Sequence, residues 1–309
     1  MKKLLAFILA AVMTASLCAC GSSNSGSEGS TSAKGSSAAG KPVAASDVKV
    51  GCIMIGDENE GYTEAHLKAV EEMKKNLGLT DDQVVIKTNI KEDEGCYDAA
   101  VDLAEQGCNI IIANSFGHES YILQAAADYP DVQFCHATGY QAKSSGLANM
   151  HNFFTNVYES RYLSGVVAGM KLNEMIQKGE VTKDKCKIGY VGAFPYAEVI
   201  SGFTSFYLGV KSVCDSATME VKYTNSWASF DLEKECAEQL IADGCVLISQ
   251  HADTTGAPTA CEAKKVPCVG YNIDMIPTAP DAALTSATIN WGPYYTYAVQ
   301  SVIEGTAID

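Results

Sequence analysis

Arginine is almost missing from this chain. Arg161 is the only one among 309 residues, and lysine and arginine together number 22 against 37 aspartates and glutamates, a net charge of −15. Nucleic-acid binding needs clustered lysine and arginine, and bidentate recognition of phosphate needs arginine. Neither glycine-rich phosphate loop, GxGxxG or GxxxxGK[ST], occurs. We therefore exclude nucleic acid as a partner and disfavour phosphorylated ligands.

Metal-ligand spacing is also missing. No CxxC occurs among the twelve cysteines, and the five histidines show no metal-ligand spacing with them. Several cysteines lie inside apolar runs, such as Cys52 in KVGCIMIG and Cys245 in GCVLIS, where a thiol packs as a small hydrophobe. We therefore expect mostly reduced, buried thiols, with no metal and no cofactor.

The longest apolar run at the N-terminus is too short to cross a membrane. Leu4 to Leu17 follow two lysines, whereas a span needs ~20 apolar residues. Leu17-Cys18-Ala19-Cys20 then has the spacing of a lipobox and resembles bacterial lipoproteins, whose N-terminal cysteine carries lipid after cleavage. We expect a signal peptide at 1–19 and lipidation of Cys20; the alternative is plain secretion with a free Cys20 thiol.

Residues 20–46 are rich in serine, glycine and alanine, with almost no bulky apolar residue. Such a segment cannot offset the entropy of folding, so we expect a flexible tether.

The rest of the chain contains an internal repeat. Lys49-Val50-Gly51 recurs as Lys187-Ile188-Gly189, an offset of 138 residues. A second set recurs at an offset of 137: Leu103, Gly107, Cys108 and Ile111 match Leu240, Gly244, Cys245 and Ile248. Two distant anchors that share nearly one offset indicate duplication of a whole lobe, and two lobes with a cleft between them suit the capture of a small molecule.

Short apolar runs alternate with helical periodicity in both halves, which predicts an α/β protein with parallel sheets covered on both faces. We expect a first lobe at 47–155 plus 285–309 and a second at 156–284. Residues 151–158 and 284–288 would be hinge crossovers, and the last helix, 294–304, would return to the first lobe.

Ligands of open parallel sheets bind at the carboxyl ends of the strands. The residues there are acids, amides and aromatics, which stack a flat ring and hydrogen-bond its polar edge; a sugar would use the same groups. The candidates are Asp57, Tyr62, Asn114, Phe116, Phe203, Trp227, His251, Asn272, Asp274 and Trp291.

Each of these candidates also has a purely structural interpretation. Asp57 suits a loop or a helix N-terminus, and His251 suits a hydrogen-bonded structural histidine. Phe203 suits a helix core, Asn272 and Asp274 suit an Asx turn, and Trp291 suits packing under the hinge.

From Val48 to about Gly305 the sequence resembles the basic membrane protein family of purine nucleoside receptor A-like lipoproteins. The segments that carry the likeness include KVGCIMIGDENEGYTEAHLKAV, KIGYVGAFPYAEVISGFTSFYLGV, YTNSWASFDLEKECAEQLIADGCVLI, VGYNIDM and LTSATINWGPYYTYAVQSVIEG. The resemblance implies a type I periplasmic binding protein fold, with two Rossmann-like lobes joined by hinge crossovers. It also implies a substrate-binding role in an ABC importer.

The resemblance further implies roles for single residues. Asp57 and Tyr62 stand where the family holds the purine, Phe203 matches a second aromatic, and Trp227 belongs to an Asn-Ser-Trp found in a subgroup.

Two positions depart from the family pattern. The ribose-binding Asp and Lys of the family are replaced by Asn272 and roughly Asn290, with Asp274 two residues beyond the first. These changes favour a free purine base over a nucleoside. The family also tends to continue beyond Asp309, so we expect a truncated C-terminus.

We therefore predict a monomeric, lipid-anchored extracytoplasmic receptor that captures a purine base or nucleoside for an ABC permease in the cell membrane. One alternative keeps the fold with a sugar or small signalling molecule as ligand. A nucleoside hydrolase or phosphorylase is disfavoured, because no nucleophile has a neighbouring base at readable spacing. A surface interaction protein with a vestigial cleft remains a further alternative.

Overall fold

The structure is a computed structural model that describes residues 40–309, which lie within one unit of the chain, residues 36–309. The predicted signal peptide, Cys20 and most of the predicted tether lie outside the described residues. The last part of the predicted tether contacts the C-terminal helix, because the Val43 N–H donates to the Val302 carbonyl at 3.4 Å.

The first sheet is fully parallel, in the order β2-β1-β3-β4-β5. We call this sheet and its helices the first lobe. Its strands are Val50–Ile53 (β1), Val84–Lys87 (β2), Ile110–Ala113 (β3), Gln133–Ala137 (β4) and Met150–Phe153 (β5). Its helices are Gly61–Leu77 (α1), Glu94–Glu105 (α2), Glu119–Asp128 (α3) and the single turn Ala142–Ser145 (α4).

The second sheet is also parallel, and with its helices it forms the second lobe. Helix Val157–Gln177 (α5) leads into strands Lys187–Gly192 (β6), Thr218–Tyr223 (β7), Leu247–His251 (β8), Cys268–Asn272 (β9) and Ala283–Thr288 (β10), in the order β10-β9-β8-β6-β7. The other helices are Ala197–Val213 (α6), Phe230–Ala242 (α7) and Gly256–Lys264 (α8). The last helix, Gly292–Glu304 (α9), packs against α1 of the first lobe. The predicted α/β class with two parallel sheets is confirmed.

The repeated residues mark the same strand–helix crossing in each lobe. A Cβ on Gly51 would lie 2.9 Å from Leu103 Cδ1, and one on Gly189 would lie 2.9 Å from Leu240 Cβ. Each glycine thus lets a helix leucine press onto the first strand of its sheet. The repeated residues therefore make the same strand–helix contact in both lobes. This shared contact explains why the two sets of matching residues recur at nearly the same offset.

Two elements differ from the prediction. The sequence pattern does not predict α5, because its apolar residues are spread around the helix: Leu163 and Met170 are exposed while Ala168 and Leu172 are buried. Residues 285–288, expected in the first lobe, belong to the second sheet, because β10 pairs along β9. The chain therefore leaves the second lobe only after Thr288.

Ten cysteines fall within residues 40–309, and all ten are free thiols. Nine are buried, and burial raises the pKa of the Cys135 thiol to about 12. In the same part of the chain, no helix combines the length and the hydrophobicity of a membrane span.

Helices α5 and α6 cross at unusually short range. A Cβ on Gly165 would lie 2.0 Å from the Phe206 carbonyl oxygen, and one on Gly209 would lie 2.1 Å from the Tyr162 carbonyl oxygen. Both obstacles are backbone atoms, which cannot rotate away. Only glycine fits this crossing, which holds α5 against the second lobe.

We expect Gly209→Ala to lower the free energy of unfolding by about 1–3 kcal/mol, because the added methyl overpacks a rigid contact. Leu208→Ala is the matched control on the same helix, since Leu208 is 56% exposed; it should change stability by only about 0.5 kcal/mol. Urea unfolding measures both, and equal effects would contradict the crossing described here.

Candidate ligand-binding site

A cavity of about 940 Å³ lies between the two lobes, at the carboxyl ends of strands from both sheets. Ser115 and Phe116 follow β3 of the first lobe, and Phe194 and Asp253 follow β6 and β8 of the second. The volume is within the range of small-molecule sites. The cavity is therefore the candidate binding site.

Aromatic rings from both lobes form much of the cavity wall. Phe194 and Tyr196 stack with ring centroids 4.9 Å apart, and Trp227 lies 5.4 Å from Phe194. Phe116 of the first lobe reaches Tyr196 of the second at 5.8 Å. Tyr62, Tyr140, Phe154 and Tyr271 are the remaining aromatic residues of the wall. A planar ligand thus has ring faces available from both lobes.

The charged side chains of the wall are all carboxylates. They are Glu60, Glu92, Glu198 and Asp253, and within residues 40–309 no lysine, arginine or histidine joins them in the lining. Glu60 also caps α1, accepting from the Tyr62 and Thr63 amides at 2.6 and 2.8 Å. The cavity therefore offers hydrogen-bond acceptors and no cation for a phosphate.

Glu198 is held by a buried histidine. His251 Nε2 lies 2.6 Å from Glu198 Oε1, and burial lowers the pKa of this imidazole, so we assign a neutral ring that donates its Nε2–H. Burial alone would raise the pKa of Glu198, but His251 and the charge of Arg161 outweigh it and lower that pKa. Glu198 is therefore an ionised, fixed acceptor at neutral pH.

The pKa of Asp253 shifts in the opposite direction to that of Glu198. Burial, with Glu60 and Glu233 nearby, raises the pKa of Asp253 well above its usual range, although Asn272 Nδ2 donates to its Oδ1 at 2.7 Å. A carboxyl group held neutral in this way is a hydrogen-bond donor as well as an acceptor.

Three of the ten predicted site residues line the cavity: Tyr62, Phe116 and Trp227. Tyr62 is fixed from behind, because its hydroxyl donates to the Asn114 carbonyl at 2.5 Å. The three supply rings from both lobes.

Three more predicted residues lie behind the wall. Asn114 is buried, and its Oδ1 accepts from the Ile55 amide at 2.9 Å. His251 orients Glu198. Trp291 is buried and stacks on His66 at 4.4 Å, which is the packing that its structural interpretation predicts.

Asp57 and Phe203 do not belong to the wall. Asp57 closes its own loop, accepting from the Asn59 amide at 3.0 Å and from Asn89 Nδ2 at 3.2 Å. Phe203 is half-buried and packs against the core of the second lobe, 5.8 Å from the Tyr190 ring. In this structure both side chains therefore have structural partners and lie outside the lining of the cavity.

Asn272, Asp274 and Asn290 line a separate, smaller cavity of about 250 Å³ beside α1. Asp274 is exposed, and its Oδ1 accepts from the Ile276 amide at 3.0 Å, as an Asx turn requires. Asn272 is outside the lining of the main cavity and is connected to it by its hydrogen bond to Asp253, which lines that cavity.

Several residues that line the cavity are not predicted from the sequence. Tyr196 and Glu198 lie just beyond β6, in the loop and first turn of α6, whereas Glu92, Tyr140 and Phe154 lie in loops of the first lobe. The strand-end rule identifies Phe194 but stops before the helix that follows it. Extending the rule through the first helical turn finds Glu198.

Two parallel α/β sheets that turn their strand ends to one ligand-sized cavity define a two-lobed solute-binding protein of the type I periplasmic class. The chain belongs to the Bmp family, ABC transporter substrate-binding proteins that are PnrA-like, whose sequence model matches residues 48–309.

Individual proteins agree with this assignment. A purine-binding protein of Brucella abortus (strain 2308) is 34% identical over 260 residues, 84% of this chain and 70% of its own. A solute-binding protein of an ABC transporter system from Conexibacter woesei matches the fold with a TM-score of 0.61 at 23% identity, over 84% of this chain and 82% of that one. An Agrobacterium radiobacter carbohydrate transporter protein in complex with D-arabinose matches with a TM-score of 0.63 at 14% identity, over 85% and 90%. At these identities the two structures show the fold alone.

The buried carboxyl of Glu233 predicts how stability varies with pH. Both its oxygens accept from the Thr254 amide, at 3.2 and 3.1 Å, yet burial raises its pKa from 4.5 to about 7. Its contribution to stability is fully present below pH 4.5 and is lost as pH rises through about 7. The loss across this window is on the order of 3 kcal/mol.

We expect Glu233→Gln to flatten the decline in unfolding free energy between about pH 4.5 and pH 8. Urea unfolding at several pH values measures the slope, and Glu235→Gln, at an exposed position of the same helix, should leave it unchanged. A slope in Glu233→Gln equal to that of the parent protein would show that this carboxyl does not titrate in the window.

Proposed function

We propose that this protein is the lipid-anchored extracytoplasmic receptor of an ABC importer and that it binds a purine base or nucleoside in the interlobe cavity. The observation that carries the proposal is the wall itself, in which aromatic rings from both lobes surround a cavity of about 940 Å³. The name of the Brucella abortus relative, a purine-binding protein, supports the same ligand class.

The rings favour a flat, heteroaromatic ligand. Trp227 and Phe194 lie on one side of the cavity and Phe116 reaches over from the other lobe. Stacking a base on an aromatic ring contributes about 1–3 kcal/mol. The carboxylates then accept hydrogen bonds from the polar edge of the base.

Closure of the lobes is the proposed step that buries the ligand. Phe116 and Tyr196 meet across the cleft and are 38% and 43% exposed, so this contact lies at the mouth and can open without disturbing a core. Domain closure of this kind is a common response to ligand in two-lobed binding proteins. The closed form would present one continuous face to the permease, and we propose that the receptor acts as a monomer.

We propose that the receptor releases its ligand unchanged. Turnover of inosine to free base would contradict this proposal.

The lipid anchor rests on Cys20 in its lipobox. We expect the full chain, expressed in a bacterium that processes lipoproteins, to fractionate with membranes. Cys20→Ser should move it to the secreted fraction, because the acceptor thiol is gone. Cys18→Ser is the control and should stay with the membranes; release of both variants would contradict the assignment of Cys20.

We expect calorimetry to detect binding of at least one of adenine, guanine, hypoxanthine, xanthine and their nucleosides. Trp227→Ala should weaken that binding about 5- to 100-fold, since it removes one stacking surface. Phe203→Ala is the control: it should cost roughly 2 kcal/mol or more of stability and leave the affinity unchanged.

Binding of D-arabinose or another sugar without binding of any purine would contradict the proposed ligand and favour a sugar receptor with the same fold.

A further inference from the structure

Three polar groups on the second-lobe side of the cavity have unused hydrogen-bonding capacity. Tyr271 is 4% exposed, and within residues 40–309 its hydroxyl has no hydrogen-bond partner. Asp253 is 8% exposed, and only its Oδ1 is engaged, by Asn272. Glu198 uses Oε1 for His251, while its Oε2 makes no bond in the described part of the chain. We call Glu198, Asp253 and Tyr271 the polar floor.

The polar floor is fixed before any ligand arrives. The Arg161 guanidinium lies 3.8 Å from the centre of the Tyr271 ring, and Arg161 itself is anchored by a 2.7 Å bond from Nη1 to the Gln250 carbonyl. The His251 ring packs 4.6 Å from the Tyr271 ring. The only arginine of the chain thus supports the site from below.

All three side chains line the cavity, so a bound ligand displaces the water around their free atoms. A ligand that supplies hydrogen-bond partners for these atoms avoids the free-energy cost of leaving them unpaired. The free oxygen of Glu198 accepts only, because the carboxylate is ionised. Burial raises the pKa of Asp253, which favours the protonated form that donates a hydrogen bond, and the Tyr271 hydroxyl is a second donor. The polar floor therefore presents one obligatory acceptor together with donors.

We propose that the polar floor binds an amino group of the purine ring, so that the protein selects aminopurines over purines that lack this group. The inference rests on the proposed function and adds the substrate class to it. An amino group next to a ring nitrogen is a donor beside an acceptor, which matches Glu198 beside a protonated Asp253 or the Tyr271 hydroxyl. A carbonyl in the same place would face the Glu198 carboxylate without a shared hydrogen.

Two ligand pairs test the inference by calorimetry at pH 7. Adenine and 6-methylpurine have nearly the same shape but differ in the amino donors, and guanosine differs from inosine only by its 2-amino group. We expect the amino compound to bind about 10- to 100-fold more tightly in at least one pair, as for a hydrogen bond to a charged acceptor.

Protein variants assign that preference to the polar floor. Tyr271→Phe removes the donor to a ring nitrogen that both compounds of a pair carry, so it should lower both affinities and leave their ratio unchanged. In Glu198→Gln the affinity for the amino compound should fall about 3- to 30-fold while that for its partner stays constant, so that the ratio shrinks. A merely structural effect would lower both affinities together. Tyr158→Phe is the control and should leave both affinities unchanged, because Tyr158 is outside the cavity lining and is 47% exposed.

Equal affinities within both pairs for the parent protein would overturn the inference and leave the proposed function intact. An amino preference that persists in Glu198→Gln would overturn it as well. Failure of every purine to bind would remove the proposed function and the inference with it.

Discussion

In a parallel sheet the carboxyl ends of all strands lie at the same edge, and this constraint determines where the ligand cavity forms. Both five-stranded sheets send their loops from that edge toward one cavity. Each lobe also buries a core cluster made of its own residues alone, and the loops at the strand ends are available to bind a ligand. The α5–α6 crossing at Gly165 and Gly209 fixes the helix that carries Arg161 under the second half of the site.

The two lobes share a framework and differ in chemistry. Gly51 and Gly189 make the same contact with a helix leucine in each lobe. The loops beyond these strands have diverged: the first lobe supplies Tyr62 and Phe116, whereas the second supplies the Phe194–Tyr196–Trp227 group and the polar floor. A duplicated scaffold of this kind supports two different halves of one binding site, with closure bringing the halves together.

The sequence predicts the framework well, because buried strands and amphipathic helices depend on local patterns. The last helix, for example, is predicted at 294–304 and observed at Gly292–Glu304. The sequence does not predict α5, whose apolar residues are spread around the helix. Nor does it predict that Asp57 bonds Asn89 or that Phe203 packs against the core of the second lobe. Glu198 is missed because its importance comes from His251, 53 positions later, and from Arg161. Such roles depend on tertiary contacts that no local pattern encodes.

The central claim is that a purine ring lies between rings of the two lobes with its polar edge on Glu198, Asp253 and Tyr271. A crystal structure of the protein grown with adenine tests it most directly. The account predicts a base stacked on Trp227 or Phe116, with an amino nitrogen within hydrogen-bond distance of a Glu198 oxygen, and Asp57 and Phe203 out of contact. A base bound in the smaller cavity beside Asp274, or one held by Asp57 and Phe203, would contradict it.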